Sequence, residues 1–358
     1  MSLSFFRVAA WLAVGTASIG CSSSRSGSSD GGAPPCTPST CAGTCTGGQC
    51  FVTLSTVTGS VYSWDVVLGK TTVYWAEQYG NSGSGGSILS VPAAGGATVT
   101  LASSADGPFG LAVDANHVFW TSSAGTGGSS DAGFIASVPV SGGSQATIAS
   151  GLPYVSATAT DGTNVYFTAS YPCGGVSCTG YVLSVPVGGG TVSTLASHPG
   201  AGAWIFSANG QLYWTTSDGR VLTVPTSGGT PKELAYEVTT GEAVVADQEA
   251  AYWTNSSGDV MRLPLDGGKA TVLALGQSPI AALAVDETSV YWINANGSFN
   301  SPGATAGVMK VPIGGGPVTA IPNPDGGYFG GLAVDDTSLY LLLQQFNSST
   351  SVVKVTPK

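Results

Sequence analysis

The sequence predicts an all-β fold, a seven-bladed β-propeller whose last blade is closed by a strand from the N-terminal side, and three observations predict it. An aromatic pair recurs seven times, as Tyr74-Trp75, Phe119-Trp120, Tyr166-Phe167, Tyr213-Trp214, Tyr252-Trp253, Tyr291-Trp292 and the degenerate Tyr340-Leu341. A second marker follows each pair: Val91-Pro92, Val138-Pro139, Val185-Pro186, Val224-Pro225, Leu263-Pro264, Val311-Pro312 and a degenerate Val355-Thr356. The composition, 53 glycines and only 8% charged residues in 358, suits many short strands and turns better than helices. Units of this period are four-stranded sheets that bury both faces only when stacked on neighbours.

Met1 to Gly20 comes first, with Arg7, the apolar run Val8 to Val14 and small residues up to Ser18-Ile19-Gly20 before Cys21. It reads as a secretory signal (1–20), and its apolar run is too short for a permanent membrane span. It resembles the bacterial lipoprotein type, although Ser18 stands where such signals usually carry Leu. The resemblance implies that Cys21 is acylated, that the membrane is touched only through this anchor, and that the exported protein resides in the bacterial cell envelope, at the outer membrane or cell surface. Residues 21–35 are Ser- and Gly-rich with no large apolar side chain, which predicts a flexible tether.

Residues 36–50 form a small Cys-rich segment holding Cys36, Cys41, Cys45 and Cys50, and Cys173 and Cys178 flank a later loop. With Cys21 committed to lipid, an even number remains, which in an exported chain favours disulfides. A zinc site is the competing reading, but its usual pairs are closer than the x4, x3 and x4 spacings found here. Four cysteines allow three connectivities, and the spacing does not choose among them.

Residues 51–358 carry the repeats. Proline lacks a backbone donor and holds its predecessor extended, so each Val-Pro marks a strand end, and the Gly-Gly that follows (Gly142-Gly143, Gly228-Gly229, Gly267-Gly268) supplies a tight turn. Asp114, Asp161, Asp247, Asp286 and Asp335 each stand six residues before the second aromatic position, where a carboxylate bonds to the turn backbone. A calcium role is the weaker reading, because each turn offers a single carboxylate. The second-strand Trp is expected to be buried between blades. The last unit runs out after three strands, while Phe51 to Leu54 has a strand composition and no blade of its own. Pairing it with Val352 to Val355 completes the ring and removes two open edges.

The combination Leu111-Ala112-Val113-Asp114 with Phe119-Trp120-Thr121, repeated as Leu283-Ala284-Val285-Asp286 with Tyr291-Trp292, resembles the YWTD propellers of the LDL-receptor family and the related NHL repeats. The closing Asp of that signature is replaced by Ser122, Thr216, Asn255 or Asn294, and no EGF-like module follows. The resemblance implies a protein-binding platform and carries over no site residue.

Function should reside where the copies differ. Successive Pro markers lie 47, 47, 39, 39 and 48 residues apart, and the excess falls in the second-to-third-strand connections. Those connections share a face with the starts of the inner strands, where Trp64, Asp65, Phe109, Tyr154, Trp204, Glu242, Tyr328 and Phe329 replace the Ala or Gly of other copies. Such a ring of aromatics either anchors a protein or carbohydrate ligand or fills the central channel as packing. With a net charge of -10 and no Lys/Arg cluster, nucleic acid is not an expected partner. The expectation is a monomeric, non-enzymatic binding protein with no cofactor and no metal. The alternatives are a channel-mouth lyase or glycoside-acting hydrolase using Asp65 and Glu242, or a structural envelope protein. For an enzyme the carboxylate pair would have to converge, since the two histidines, His117 and His198, both fall off the inner strands.

Overall fold

The computed structural model describes residues 36, 37, 40–59, 61–63, 65–79, 85–103, 105–122, 132–171, 179–236, 243–277, 280–294, 307–323, 326–345 and 349–358, with Val61 and Tyr62 described by backbone alone. Residues 1–35, which include Cys21, and Trp64, Cys173, Cys178 and Glu242 lie outside the described residues.

Every described element is a strand, and the strands form seven antiparallel sheets. Blade one has Val61–Tyr62 and Val66–Leu68 innermost, both against Thr72–Tyr79, then Gly86–Pro92 and Val99–Ser103. Blades two and three repeat the order as Pro108–Val113, His117–Ser122, Gly133–Pro139, Ala146–Leu152, and Tyr154–Thr160, Asn164–Ser170, Thr179–Pro186, Ser193–Pro199. Blades four to six do so with inner strands Gly202–Ala208, Val244–Ala246 and Ile280–Val285 and outer strands Lys232–Tyr236, Thr271–Ala274 and Thr319–Ile321. Each inner strand touches the next and the seventh touches the first, so the sheets close into a ring.

Blade seven contains Tyr328–Val334, Leu339–Gln345 and Ser349–Thr356, and its fourth strand is Gln49–Thr58. The predicted closure is therefore present and longer than the sequence alone indicates, running from the pair Cys50 with Thr356 to the pair Thr58 with Ser349. Thr44–Thr46 adds a fifth strand outside it through a hairpin whose turn glycines, Gly47 and Gly48, hold φ of 60° and 83°. Disulfides Cys36–Cys45 and Cys41–Cys50 pin this hairpin, and Cys50 is itself part of the closing strand. Residues 36–50 are thus docked on blade seven, where they cover its outer edge.

The second-strand tryptophans fill the seams between blades. Trp75, Trp120, Trp214, Trp253 and Trp292 are all buried, and each packs on the preceding blade, as Trp214 does on Tyr166 and Val182. The inner strands carry an irregularity near their start in blades two, three and four, and the Thr after the aromatic pair repairs it. Thr121, Thr168 and Thr215 accept from the displaced backbone N–H of Gly110, Ala157 and Trp204 at 2.9, 3.3 and 3.4 Å.

The Asp turns lie on the opposite face and are built as the sequence indicates. Asp247 Oδ1 accepts from the backbone of Glu249 and Ala250, both at 2.7 Å, and Asp335 Oδ1 from Thr337 and Ser338, both at 2.8 Å. The second carboxylate oxygen takes the hydroxyl of the tyrosine five residues on, Tyr252 at 2.8 Å and Tyr340 at 2.8 Å, which explains why Tyr heads the aromatic pair. Burial, then the Asp247 carboxylate, raise the Tyr252 hydroxyl above its ordinary range, so it remains a donor at neutral pH. At Asp286 the second oxygen pairs with the Lys358 ammonium, which also donates to the Asp335 carbonyl and ties blades six and seven. Asp247→Ala removes three bonds and is expected to lower unfolding free energy by about 2–3 kcal/mol, and Tyr252→Phe by about 1 kcal/mol, in urea titrations. Equal stability of Asp247→Ala and wild type would refute the structural role of the turn.

A candidate ligand-binding face

Inner and third strands run toward the Asp-turn face, and second and outer strands run back, so the long variable connections all open on the other face. That face is where apolar side chains stay in water. Of the eight large hydrophobic residues exposed among the described residues, Tyr79, Phe109, Tyr154, Tyr171, Tyr236 and Leu275 lie at strand ends on it. Val99 and Val272, at the opposite ends of outer strands, are the two others.

The structure separates the sequence-predicted residues. Phe109 and Tyr154 are exposed, at 45% and 42%, at the starts of neighbouring inner strands. Tyr328 is half-buried. Phe329, expected at the same mouth, turns inward: at 3% exposure it packs with Leu332 and Leu343 between blades six and seven and has no surface left for a ligand. Trp204 is half-buried and packed against the core of blades four and five, so much of its ring serves the fold. Asp65 accepts the Leu111 N–H at 2.8 Å, bracing blade one to blade two. With Glu242 outside the described residues, the Asp65–Glu242 pair is not defined.

Blades two and three meet closely beneath the exposed aromatics. A Cβ at Gly110 would come within 3.0 Å of the Ala157 Cα, Ser156 O and Thr158 N, so only glycine lets the two inner strands touch there. Tyr154 opposes Ser170 across blade three, and Tyr171 follows on the next position. Tyr171, 51% exposed, rests edge-on against half-buried Tyr181, with ring centroids 6.0 Å apart and an angle of 89°. Tyr79, Tyr171, Tyr236 and Leu275 do not stand out in the sequence, because they end second and outer strands and replace no Ala or Gly at an inner-strand start. Their signal was an aromatic directly before a variable connection, as in Tyr79 and Tyr171.

A small pocket toward the Asp-turn ends of the inner strands is lined by Val67, Phe206, Val245, Leu283 and Leu332, and its volume of about 30 Å³ holds roughly two waters. All of its lining side chains are apolar. His117 sits in an Asp turn, and His198 is buried in blade three with Nδ1 on the Pro199 carbonyl at 3.1 Å and its pKa lowered by burial. Among the described residues no three His, Cys, Asp or Glu side chains gather to hold a metal. Charge is lopsided as well: from Thr71 to Gly219, a span covering most of blades one to four, there is no Lys or Arg.

No sequence-family model and no curated protein matches the chain. Solved structures do. The WD40 β-propeller domain of Doa1 is similar at 8% identity and a TM-score of 0.59, over 84% of this chain and 96% of that one. The computationally designed Ika8 protein is similar at 15% identity and 0.55, over 86% and 99%. A Mycobacterium tuberculosis puromycin-hydrolyzing peptidase is similar at 14% identity and 0.57, over 82% of this chain and 52% of that one, so this chain spans about half its length. At these identities the likeness is one of fold, a β-propeller.

Proposed function

We propose that the protein is an exported, non-enzymatic binding protein, lipid-anchored through Cys21 in the cell envelope, that holds a protein or glycan ligand on the variable-connection face of its propeller. Six of the eight large hydrophobic side chains exposed among the described residues stand at strand ends on that one face, and this one-sidedness carries the reading. The YWTD- and NHL-like repeat signature supports binding over chemistry, and so does the pocket between the inner strands, whose lining side chains are all apolar.

The test is capture of ligands from envelope extract, beside a glycan array, by the full chain and by Phe109→Ser/Tyr154→Ser. Capture should fall about tenfold or more in the double variant while unfolding free energy changes by less than about 1 kcal/mol, because both rings are already half in water. Failure to capture either kind of ligand, or equal capture by the variant, would overturn the assignment. Cys21→Ala should shift the protein from the membrane to the soluble fraction, and unchanged fractionation would remove the anchor from the proposal.

A further inference from the structure

We propose that the seam between blades one and seven binds a monovalent metal cation of the size of sodium, held by the Glu77 carboxylate and the Ser63 hydroxyl of blade one and the Thr350 hydroxyl of blade seven. The site is internal and does not rest on the reading of the exposed face.

Three buried polar side chains in this seam have unmet bonds. Glu77 and Ser63 are 0% exposed and Thr350 2%, and Glu77 Oε2, Ser63 Oγ and Thr350 Oγ1 have no hydrogen-bond partner among the described residues. Buried polar atoms are nearly always bonded, so each of these calls for a cause.

Sheet register brings the three together. On Thr72–Tyr79, Val73 and Trp75 pack against Tyr340, Leu342 and Val352 of blade seven, and Glu77 stands two residues further along the same face. On blade seven, Gln344 and Thr350 are paired directly and continue the face of Leu342 and Val352. Ser63 joins the two sides. The pairs Val61 with Tyr79 and Tyr62 with Gln78 set the next residue, Ser63, opposite Glu77, and its carbonyl accepts from the Gln344 side-chain amide. The strand Val61–Tyr62 also touches Ser349–Thr356. At Gly330 a Cβ would strike both the Ser63 carbonyl and the Gln344 amide, so glycine lets blade seven approach this closely.

Charge decides what belongs among these groups. Glu77 Oε1 accepts the Trp75 N–H at 3.1 Å, but none of the ion pairs among the described residues includes Glu77. Lys354, on the same face of blade seven, donates instead to the Ala93 carbonyl at 3.1 Å, toward the Asp-turn end of the seam. A water molecule would satisfy the hydroxyls and leave the carboxylate buried without a counter-charge, which is costly. A cation meets both needs, because hydroxyl and carboxylate lone pairs are hard oxygen donors. One carboxylate balances one positive charge, whereas calcium would leave a net positive charge in the seam and seeks about six to eight oxygens. The acid is also particular to this blade: two residues after the second aromatic position the others carry Ser122, Ala169, Thr216, Asn255, Asn294 and Leu343, none of them charged. The ion thus ties blade one to blade seven where the ring closes.

Thermal melts of the full chain at mildly alkaline pH test this, in sodium chloride against choline chloride of equal ionic strength. Sodium is expected to raise the midpoint saturably by about 2–4 °C, the shift that a tenfold excess over the dissociation constant produces. It should also show a protein-dependent broadening of its sodium-23 resonance. Glu77→Gln keeps the shape and removes the charge, so it should melt cooperatively, lose both sodium effects, and in choline melt above wild type. Thr350→Val should weaken sodium binding about tenfold, the scale of a lost partner at a metal site. Glu287→Gln, at an exposed carboxylate, should respond to sodium as wild type does. Equal midpoints in sodium and choline, or a sodium shift retained in Glu77→Gln, would overturn the site and leave water as the occupant. Stabilisation by calcium and not by sodium would overturn the monovalent assignment.

Discussion

Removing residues 1–58 is expected to abolish cooperative folding, whereas removing residues 1–35 leaves the thermal midpoint where it was. The longer deletion takes away Gln49–Thr58, the strand that completes blade seven, and with it the backbone pairing from Cys50 with Thr356 to Thr58 with Ser349. It also removes Phe51, buried at 5% exposure among Leu339, Val353 and Val355, and Leu54 and Val57, which pack on the seam between blades one and seven. Losing Phe51 alone should cost about 3–5 kcal/mol, a large part of the roughly 5–15 kcal/mol by which a domain is stable. The strand as a whole exceeds that margin, and the Ser349–Thr356 edge it leaves bare invites aggregation. Thermal melts with light scattering decide the matter, and a 1–58 deletion that melts like the 1–35 deletion would mean that the ring closes in another way.

Trp75→Ala should be the most damaging single substitution in blade one. Trp75 is buried against Tyr340, Leu342 and Val352 of blade seven, so its loss opens a cavity worth about 3–5 kcal/mol. Its indole N–H also donates at 3.1 Å to Glu77, a carboxyl with 0% exposure whose other oxygen has no partner among the described residues. Ser63 and Thr350 hydroxyls are likewise buried without a partner among the described residues, which makes blade one and the blade seven strand it faces rich in unmet polar groups. Burial raises the Glu77 pKa, and the Trp75 bond offsets this in part. A pKa raised in the folded state gives stability that is full below the unfolded value of about 4.3 and is lost as the pH climbs. Glu77→Gln should therefore match wild type near pH 4 and become the more stable of the two toward pH 8 in urea titrations. A difference that stays flat with pH would show that Glu77 is not the buried acid described.

Much of the architecture was readable because each blade must solve the same problems with the same residues. The Tyr-Trp and Val-Pro markers located second and third strands, the Asp located the turn, and the orphan strand at Phe51 located the closure. What escaped was cooperation between distant positions. That Thr121 repairs the backbone of Gly110, or that Tyr252 caps Asp247, depends on which atoms the sheet brings together, and spacing records only that the residues recur. Disulfide connectivity was hidden for the same reason, since Cys36–Cys45 and Cys41–Cys50 have equal separations of 9 and only the hairpin selects them. At the candidate face, Phe109 and Tyr154 stood out by their size against the Gly and Ala of other copies. Phe329 stood out equally and is packed inside, because size at a strand start does not tell which way a ring turns.

The ring closure also sets an order in time. Thr56 and Ser351, whose hydroxyls lie 2.9 Å apart in blade seven, are separated by 295 residues of chain. During synthesis the closing strand emerges 295 residues before its partner, so the blades between them can assemble as they appear while the ring itself must wait for the last of them. Contacts of such long range are slow to form, and until they do the protein is an open arc with two sticky ends.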